Sequence, residues 1–218
     1  MSILNFPHLL SFKVRELVYG LRWEIVRDTP SDSLKMCWIV SDDIPSVHIP
    51  EGYELTNAPL KHAPDGWISL LRKAGVNATT ETWNHEYGGR DAVGVLLMYH
   101  NLRLVGTAGL RTLATNSPDY GAINWVVVDP SNRGIGLGTI LTVSVMALAR
   151  TLEMKALFLR TDDFRLPAIK TYFRLGFRPC LTSWDKSHAW RWKKIMRMTK
   201  LHGAYCRNQS HAVLFPAE

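Results

Sequence analysis

Residues 125–139 read Trp-Val-Val-Val-Asp-Pro-Ser-Asn-Arg-Gly-Ile-Gly-Leu-Gly-Thr. A β-branched run suits an extended strand. Asp129-Pro130 ends it, and an apolar, helix-like segment starts after three glycines at alternate positions, Gly134, Gly136 and Gly138. A strand, a glycine loop and a helix start in series aim several backbone N–H groups at one place, where the positive end of the helix dipole adds to them. Glycine lets such a backbone take positive φ and come close to a ligand. The stretch therefore predicts a cradle for an anion, with a pyrophosphate the natural occupant. The plainer reading is a glycine-rich turn with no ligand.

Two familiar phosphate loops do not fit. The P-loop needs Lys followed by Ser or Thr after its last glycine, and Gly138 is followed by Thr139 and Ile140. The dinucleotide fingerprint G-x-G-x-x-G is missed by Gly134-Ile135-Gly136-Leu137-Gly138. The loop does match Arg-x-x-Gly-x-Gly, carried by Arg133, Gly136 and Gly138. After a Val-rich strand ending in Asp-Pro, that pattern resembles motif A of the GNAT superfamily of acyl-CoA N-acyltransferases. Residues 159–177 resemble motif B of the same superfamily through Ala168, Tyr172, Gly176 and Phe177. The two motifs stand in the expected order, and the likeness runs over about residues 90 to 180.

The resemblance implies an α/β fold of the GNAT type. This is a central mixed, mostly antiparallel sheet splayed between the motif A and motif B strands, with helices on both faces. It implies acetyl-CoA as acyl donor, no metal, and direct attack by a primary amine within a ternary complex. The strand segment Val126, Val127 and Val128 would meet the pantetheine arm. Backbone N–H groups of Arg133, Gly134, Ile135, Gly136, Leu137, Gly138 and Thr139 would hold the pyrophosphate. Arg165 stands where the superfamily often has Asn, and either pairs with a phosphate or is a solvated charge. Tyr172 occupies the position of the acid that protonates the leaving thiolate, a task a phenol can perform; its plainer role is helix packing. The base is not fixed by a motif. Glu81, Glu86, Asp162 and Asp163 are the candidates, with Asp163 equally suited to cap the next helix. Asn124 on the motif A strand would orient the nucleophile.

Composition narrows the partners. A net charge of +7 favours anionic ligands, which a basic CoA channel explains in part. No nucleic-acid motif is present, so no nucleic-acid partner is expected. No apolar run approaches the roughly 20 residues needed to cross a bilayer, and no signal-peptide pattern opens the chain. Cys37, Cys180 and Cys206 are scattered and odd in number, which fits neither a disulfide framework nor a metal site. A cytoplasmic location follows as the expectation.

Three segments are expected: an N-terminal helix and linker arm over 1–49, a transferase domain over 50–200, and a tail over 201–218. In residues 1–28, Leu10, Val14, Leu17, Val18, Leu21 and Ile25 recur at helical spacing. They read as an amphipathic helix that docks on the domain, pairs two copies into a homodimer, or lies on a membrane surface. Residues 29–50 read as an extended arm with a short apolar run at Trp38 to Val40. Strands are predicted near Glu54, over Asp91 to Tyr99, Leu102 to Leu110, Ala122 to Val128, Lys155 to Arg160 and Arg178 to Leu181. Helices are predicted over Gly66 to Ala74, Gly138 to Leu152, Leu166 to Leu175 and 186–200. Residues 75–90 and 111–121 read as loops that shape the acceptor site. The acceptor expected is a small-molecule amine. The alternative function is a non-catalytic CoA-binding or interaction module that engages a partner through the basic C-terminal helix.

Overall fold

The computed structural model describes residues 33–41, 43–58, 60–114, 117–182, 186–200 and 213–215. The predicted helix over 1–28 and Cys206 lie outside the described residues. The chain divides into two compact units, Val40–Phe158 and a second made of the segments on either side of it.

The first unit is an antiparallel meander. Strand β2 (Tyr53–Asn57) pairs with β3 (Ala92–His100), β3 with β4 (Arg103–Ala114), and β4 with β5 (Ser117–Val128). Asn101 and Leu102 both take left-handed φ at the β3–β4 turn, the conformation that joins twisted strands through a two-residue loop. The α-helices α1 (Trp67–Lys73), α2 (Thr80–Tyr87) and α3 (Leu137–Thr151) belong to this unit.

Val95, Leu96, Leu97 and Met98 are all buried, as a strand covered on both faces requires. Val95, Leu97 and Val127 pack with Trp67, Leu70, Leu71, Trp83 and Tyr87 of α1 and α2. On the opposite face, Leu141 of α3 lies close to Gly106, where an added Cβ would meet its Cδ1 at 3.0 Å. An edge-on stack of Trp67 on Trp83, with centroids 5.0 Å apart, centres the α1–α2 face.

In the second unit, β1 (Leu34–Ile39) pairs antiparallel with β7 (Arg178–Thr182), and β7 pairs in parallel with β8 (Val213–Phe215). Strand β6 (Ala156–Thr161) carries the chain from the first unit into this one. Helix α4 (Leu166–Arg174) stops at Gly176, whose φ is 93°. There Gly176 N–H donates to Phe173 O and Phe177 N–H to Tyr172 O, which together form a Schellman cap. Helix α5 (Lys186–Met198) buries Trp192, Ile195 and Met196 and leaves Trp190 exposed. Trp192 meets Phe173 edge-on at 6.0 Å.

The α/β class, the mostly antiparallel pairing and the helix after the glycine loop agree with expectation. Three segments differ. Residues 75–90 contain α2, started by a capping box in which Thr79 and Thr82 bond each other's backbone N–H. Residues 111–114 and 117–121 are strand, because β4 and β5 continue pairing out to Ala114 and Ser117. Leu34–Ile39, inside the expected arm, is a strand whose Leu34, Met36, Cys37 and Trp38 are buried. Among the described residues no helix is long and apolar enough to cross a membrane.

Candidate active site

Strand β5 is not a regular strand. Its register against β4 passes from Thr107–Val127 to Gly109–Asn124, so β5 carries one more residue than its partner. Trp125 takes up the excess with φ of 52°, a conformation non-glycine residues seldom adopt. A bulge of this kind takes backbone groups out of the ladder and turns side chains to new directions. It separates Asn124 from Val126, Val127 and Val128 in the stretch that sequence reading treated as a plain strand.

Asp129 starts the turn after β5. Its carboxylate accepts the N–H of Ser131 at 3.0 Å and the ammonium of Lys73 at 3.1 Å. The Ser131 N–H is the main cause holding this carboxyl below its usual range, with Lys73 contributing. Asn132 donates to the Tyr53 hydroxyl at 3.0 Å, and Arg133 Nε to the Val128 carbonyl at 3.1 Å. Gly134 and Gly136 both have φ of 88°. A Cβ at either would meet no neighbour within 4 Å, so the space beside the loop is open. Gly136 precedes α3, and no side chain caps that helix. Arg133, Gly134, Ile135 and Gly136 are exposed, whereas Leu137 is buried and Gly138 and Thr139 are half-buried. The arrangement has the attributes of an anion cradle: an uncapped helix start, pre-set left-handed glycines and free space. These features fit a pyrophosphate.

A polar cluster lies beside the bulge. Asn124 Nδ2 donates to Glu86 Oε2 at 2.8 Å, and the Tyr87 hydroxyl donates to Asn124 Oδ1 at 3.1 Å. Arg111 Nη1 donates to Glu86 Oε2 at 2.9 Å and Nε to Asp91 Oδ2 at 3.0 Å. Burial pushes the Tyr87 phenol far up, and the Glu86 charge adds to this. Glu86 and Asn124 are thus brought into contact. Glu81 is not part of the cluster: it is exposed in the first turn of α2, where the Thr79 side chain holds its carboxyl below the usual range. Sequence reading missed Tyr87, Asp91 and Arg111. The spacing of Trp83 and Tyr87 on a capped helix was the one local signal for that part of the cluster.

In the second unit, Tyr172 is buried on α4 with its ring 5.8 Å from that of Phe177. Burial raises its phenol to about 12. Arg165 is exposed, and its Nε is bonded to Asp162 at 2.8 Å. Asp163 does not cap α4, since Arg165 is the residue that precedes the helix. It accepts instead from Arg191 Nε at 3.0 Å, which holds its carboxyl below the usual range. Among the described residues, no three His, Cys, Asp or Glu side chains gather as a metal site needs.

A bulged strand thus runs into a glycine loop and a helix that no side chain caps. Residues 64–177, more than half of the chain, match the acetyltransferase (GNAT) family, and the chain belongs to that family. Over 143 residues it is 34% identical to a mycothiol acetyltransferase of Thermomonospora curvata, covering 62% of this chain and 47% of that one. Over 131 residues it is 30% identical to a glucosamine 6-phosphate N-acetyltransferase of Trypanosoma brucei brucei, covering 60% of this chain and 76% of that one. A tandem GNAT protein from the clavulanic acid biosynthesis pathway shares the fold with a TM-score of 0.53 at 22% identity, over 68% of this chain and 51% of that one. The chain spans about half the length of the mycothiol acetyltransferases it matches.

Proposed function

We propose that this chain transfers an acetyl group from acetyl-CoA to the primary amine of a small molecule. The observation that carries the reading is the open, uncapped cradle of Arg133–Thr139 at the end of a bulged strand. Support also comes from relatives named for mycothiol and for glucosamine 6-phosphate.

Acetyl-CoA supplies an acetyl thioester whose C–S bond is exchanged for a C–N bond. Backbone N–H groups of Gly134 to Gly138 would hold the pyrophosphate, whereas those of Arg133 and Thr139 donate to Pro130 O and Gly136 O; backbone groups of Val126 and Val128 would hold the pantetheine arm. The bulge at Trp125 frees N–H groups that steady negative charge as it develops on the thioester oxygen. Glu86 takes a proton from the acceptor ammonium, with Asn124 orienting it, and leaves the nitrogen lone pair for attack. By the family resemblance, Tyr172 donates its hydroxyl proton to the leaving sulfur. The phenol regains a proton from the nitrogen side or from water. The net products are an amide, the CoA thiol and one proton. Residues 50–200 carry these functions, and Arg165, bound to Asp162, has no assigned part in them.

The test is a thermal-shift titration with acetyl-CoA, CoA and ATP, followed by thiol release with a panel of amines. Ligand at about 100 times its dissociation constant adds about 2.7 kcal/mol. Stabilisation by acetyl-CoA and CoA but not ATP, with thiol release dependent on an amine, is the expected result. Binding without release on any amine would favour a CoA-binding module, and no shift would remove the cofactor assignment.

A further inference from the structure

Two residues outside the proposed mechanism hold Glu86 and Asn124 in place. An ionised carboxylate only accepts hydrogen bonds. The amide edge facing Glu86 is therefore Nδ2 of Asn124, at 2.8 Å from Oε2. Oδ1 then faces Tyr87, which makes the phenol the donor at 3.1 Å. A phenol whose burial keeps it protonated is suited to that single task. Arg111 Nη1 reaches the same Glu86 Oε2 at 2.9 Å, and its other edge is taken by Asp91. Two donors converge on Oε2, whereas Oε1 faces the exposed His85 ring at 3.4 Å.

Gly109 makes this geometry possible. It is the strand partner of Asn124, and a Cβ on it would occupy the space of the Tyr87 hydroxyl and crowd Asn124 Oδ1. The Tyr87 ring belongs to the aromatic core with Trp67 and Trp83. Its hydroxyl is separate from that packing and meets Asn124.

We propose that Tyr87 and Arg111 are positioning residues for the amine half of the reaction. Tyr87 fixes the Asn124 amide, and Asn124 and Arg111 together clamp Glu86 Oε2, so that Oε1 is presented to the acceptor ammonium. The ammonium gives one proton to Oε1, which yields a neutral amine and a protonated Glu86; no other reactant is needed. The inference rests on the acetyl-transfer reading above. The charged and titratable groups facing Glu86 are Arg111 from β4 and His85 and Tyr87 from its own helix, with Asp91 behind Arg111.

Tyr87→Phe keeps the ring and removes the hydroxyl. The amine kcat/KM should fall about tenfold, the size of one lost hydrogen bond, with the acetyl-CoA KM unchanged. The loss should fall on the amine side alone, because the hydroxyl removed bonds Asn124 and not the glycine loop. Arg111→Lys keeps the charge without the planar fork and should lower the same amine kcat/KM in the same direction. A wild-type amine kcat/KM in Tyr87→Phe would overturn the proposal.

A readout without turnover separates the inference from the reading it rests on. The Asn124 side-chain amide, assigned by its loss in Asn124→Ser, should give two well-separated, slowly exchanging protons in the wild type. They should shift in Tyr87→Phe. Identical amide signals in both proteins would overturn the relay. A shifted signal in a protein that acetylates no amine would overturn the acetyl-transfer reading and the proton role with it, while the hydrogen-bonded relay itself would stand.

Discussion

Lys73 Nζ stands 3.1 Å from Asp129 Oδ2, which ties the last turn of α1 to the first residue of the glycine loop. The same carboxylate holds the Ser131 N–H, so one side chain both starts the turn and anchors it to the helix layer.

The two bonds of Asp129 differ in weight. Asp129→Ala removes a capping acceptor and should cost about 1 kcal/mol. Lys73→Ala removes a pair whose lysine is mostly exposed and should cost at most about 0.5 kcal/mol. Because the folded pKa of Asp129 is lowered, its contribution is present above the ordinary carboxylate range. It is lost as pH falls below that range through the folded value. Chemical denaturation of both variants at neutral pH and at about pH 3 reads the order and the sign.

Gly136 and Gly138 should respond in opposite ways. Gly136 sits at φ of 88°, so Gly136→Ala should lose about 1–2 kcal/mol of stability as well as acetyl-CoA affinity. Gly138 is inside the first turn of α3, and its nearest neighbour to an added Cβ is Val128 at 4.0 Å. Gly138→Ala should therefore keep or raise the melting temperature while weakening acetyl-CoA. Melting and ligand titration of the two variants together separate backbone demand from ligand demand.

Removing the Tyr172 hydroxyl should slow turnover by roughly 10²-fold and leave acetyl-CoA binding nearly intact. Single-turnover rates of Tyr172→Phe, set beside its acetyl-CoA titration, test the acid role. A variant that turns over normally makes Tyr172 a packing residue.

The same phenol sets an alkaline limit. Burial pushes its folded pKa up to about 12, above the ordinary phenol value. A raised folded pKa means the stability is complete below the unfolded value and falls as pH rises through the folded one. Wild-type stability should decline between pH 10 and 12, and Tyr172→Phe should decline less steeply. Denaturant midpoints across that window decide it.

The parts of the site that were legible in the sequence are local ones. A glycine loop between a strand and a helix shows in fifteen consecutive residues, and the end of α4 shows in Gly176-Phe177. Helix α2 escaped because eight residues offer only Trp83 and Tyr87 as an apolar pair, amid Thr, Glu, Asn and His. The bulge at Trp125 has no local signature. It exists because β4 supplies one residue, Ala108, opposite two of β5, Trp125 and Val126. The Tyr87–Asn124–Glu86–Arg111 cluster joins residues from α2, β4 and β5, with Tyr87 and Asn124 37 positions apart. Only the paired strands bring them together. Strand β1 was read as an arm because its partner, β7, lies near the other end of the sequence.

The close approach of Gly109 and Tyr87 also has an evolutionary reading. A glycine at 109 is obligatory only while an aromatic hydroxyl reaches across the strand from position 87. Among relatives, the two positions should then be inherited as a pair. A lineage that shortens residue 87 releases 109 to ordinary strand residues, and one that fills 109 must first give up the hydroxyl.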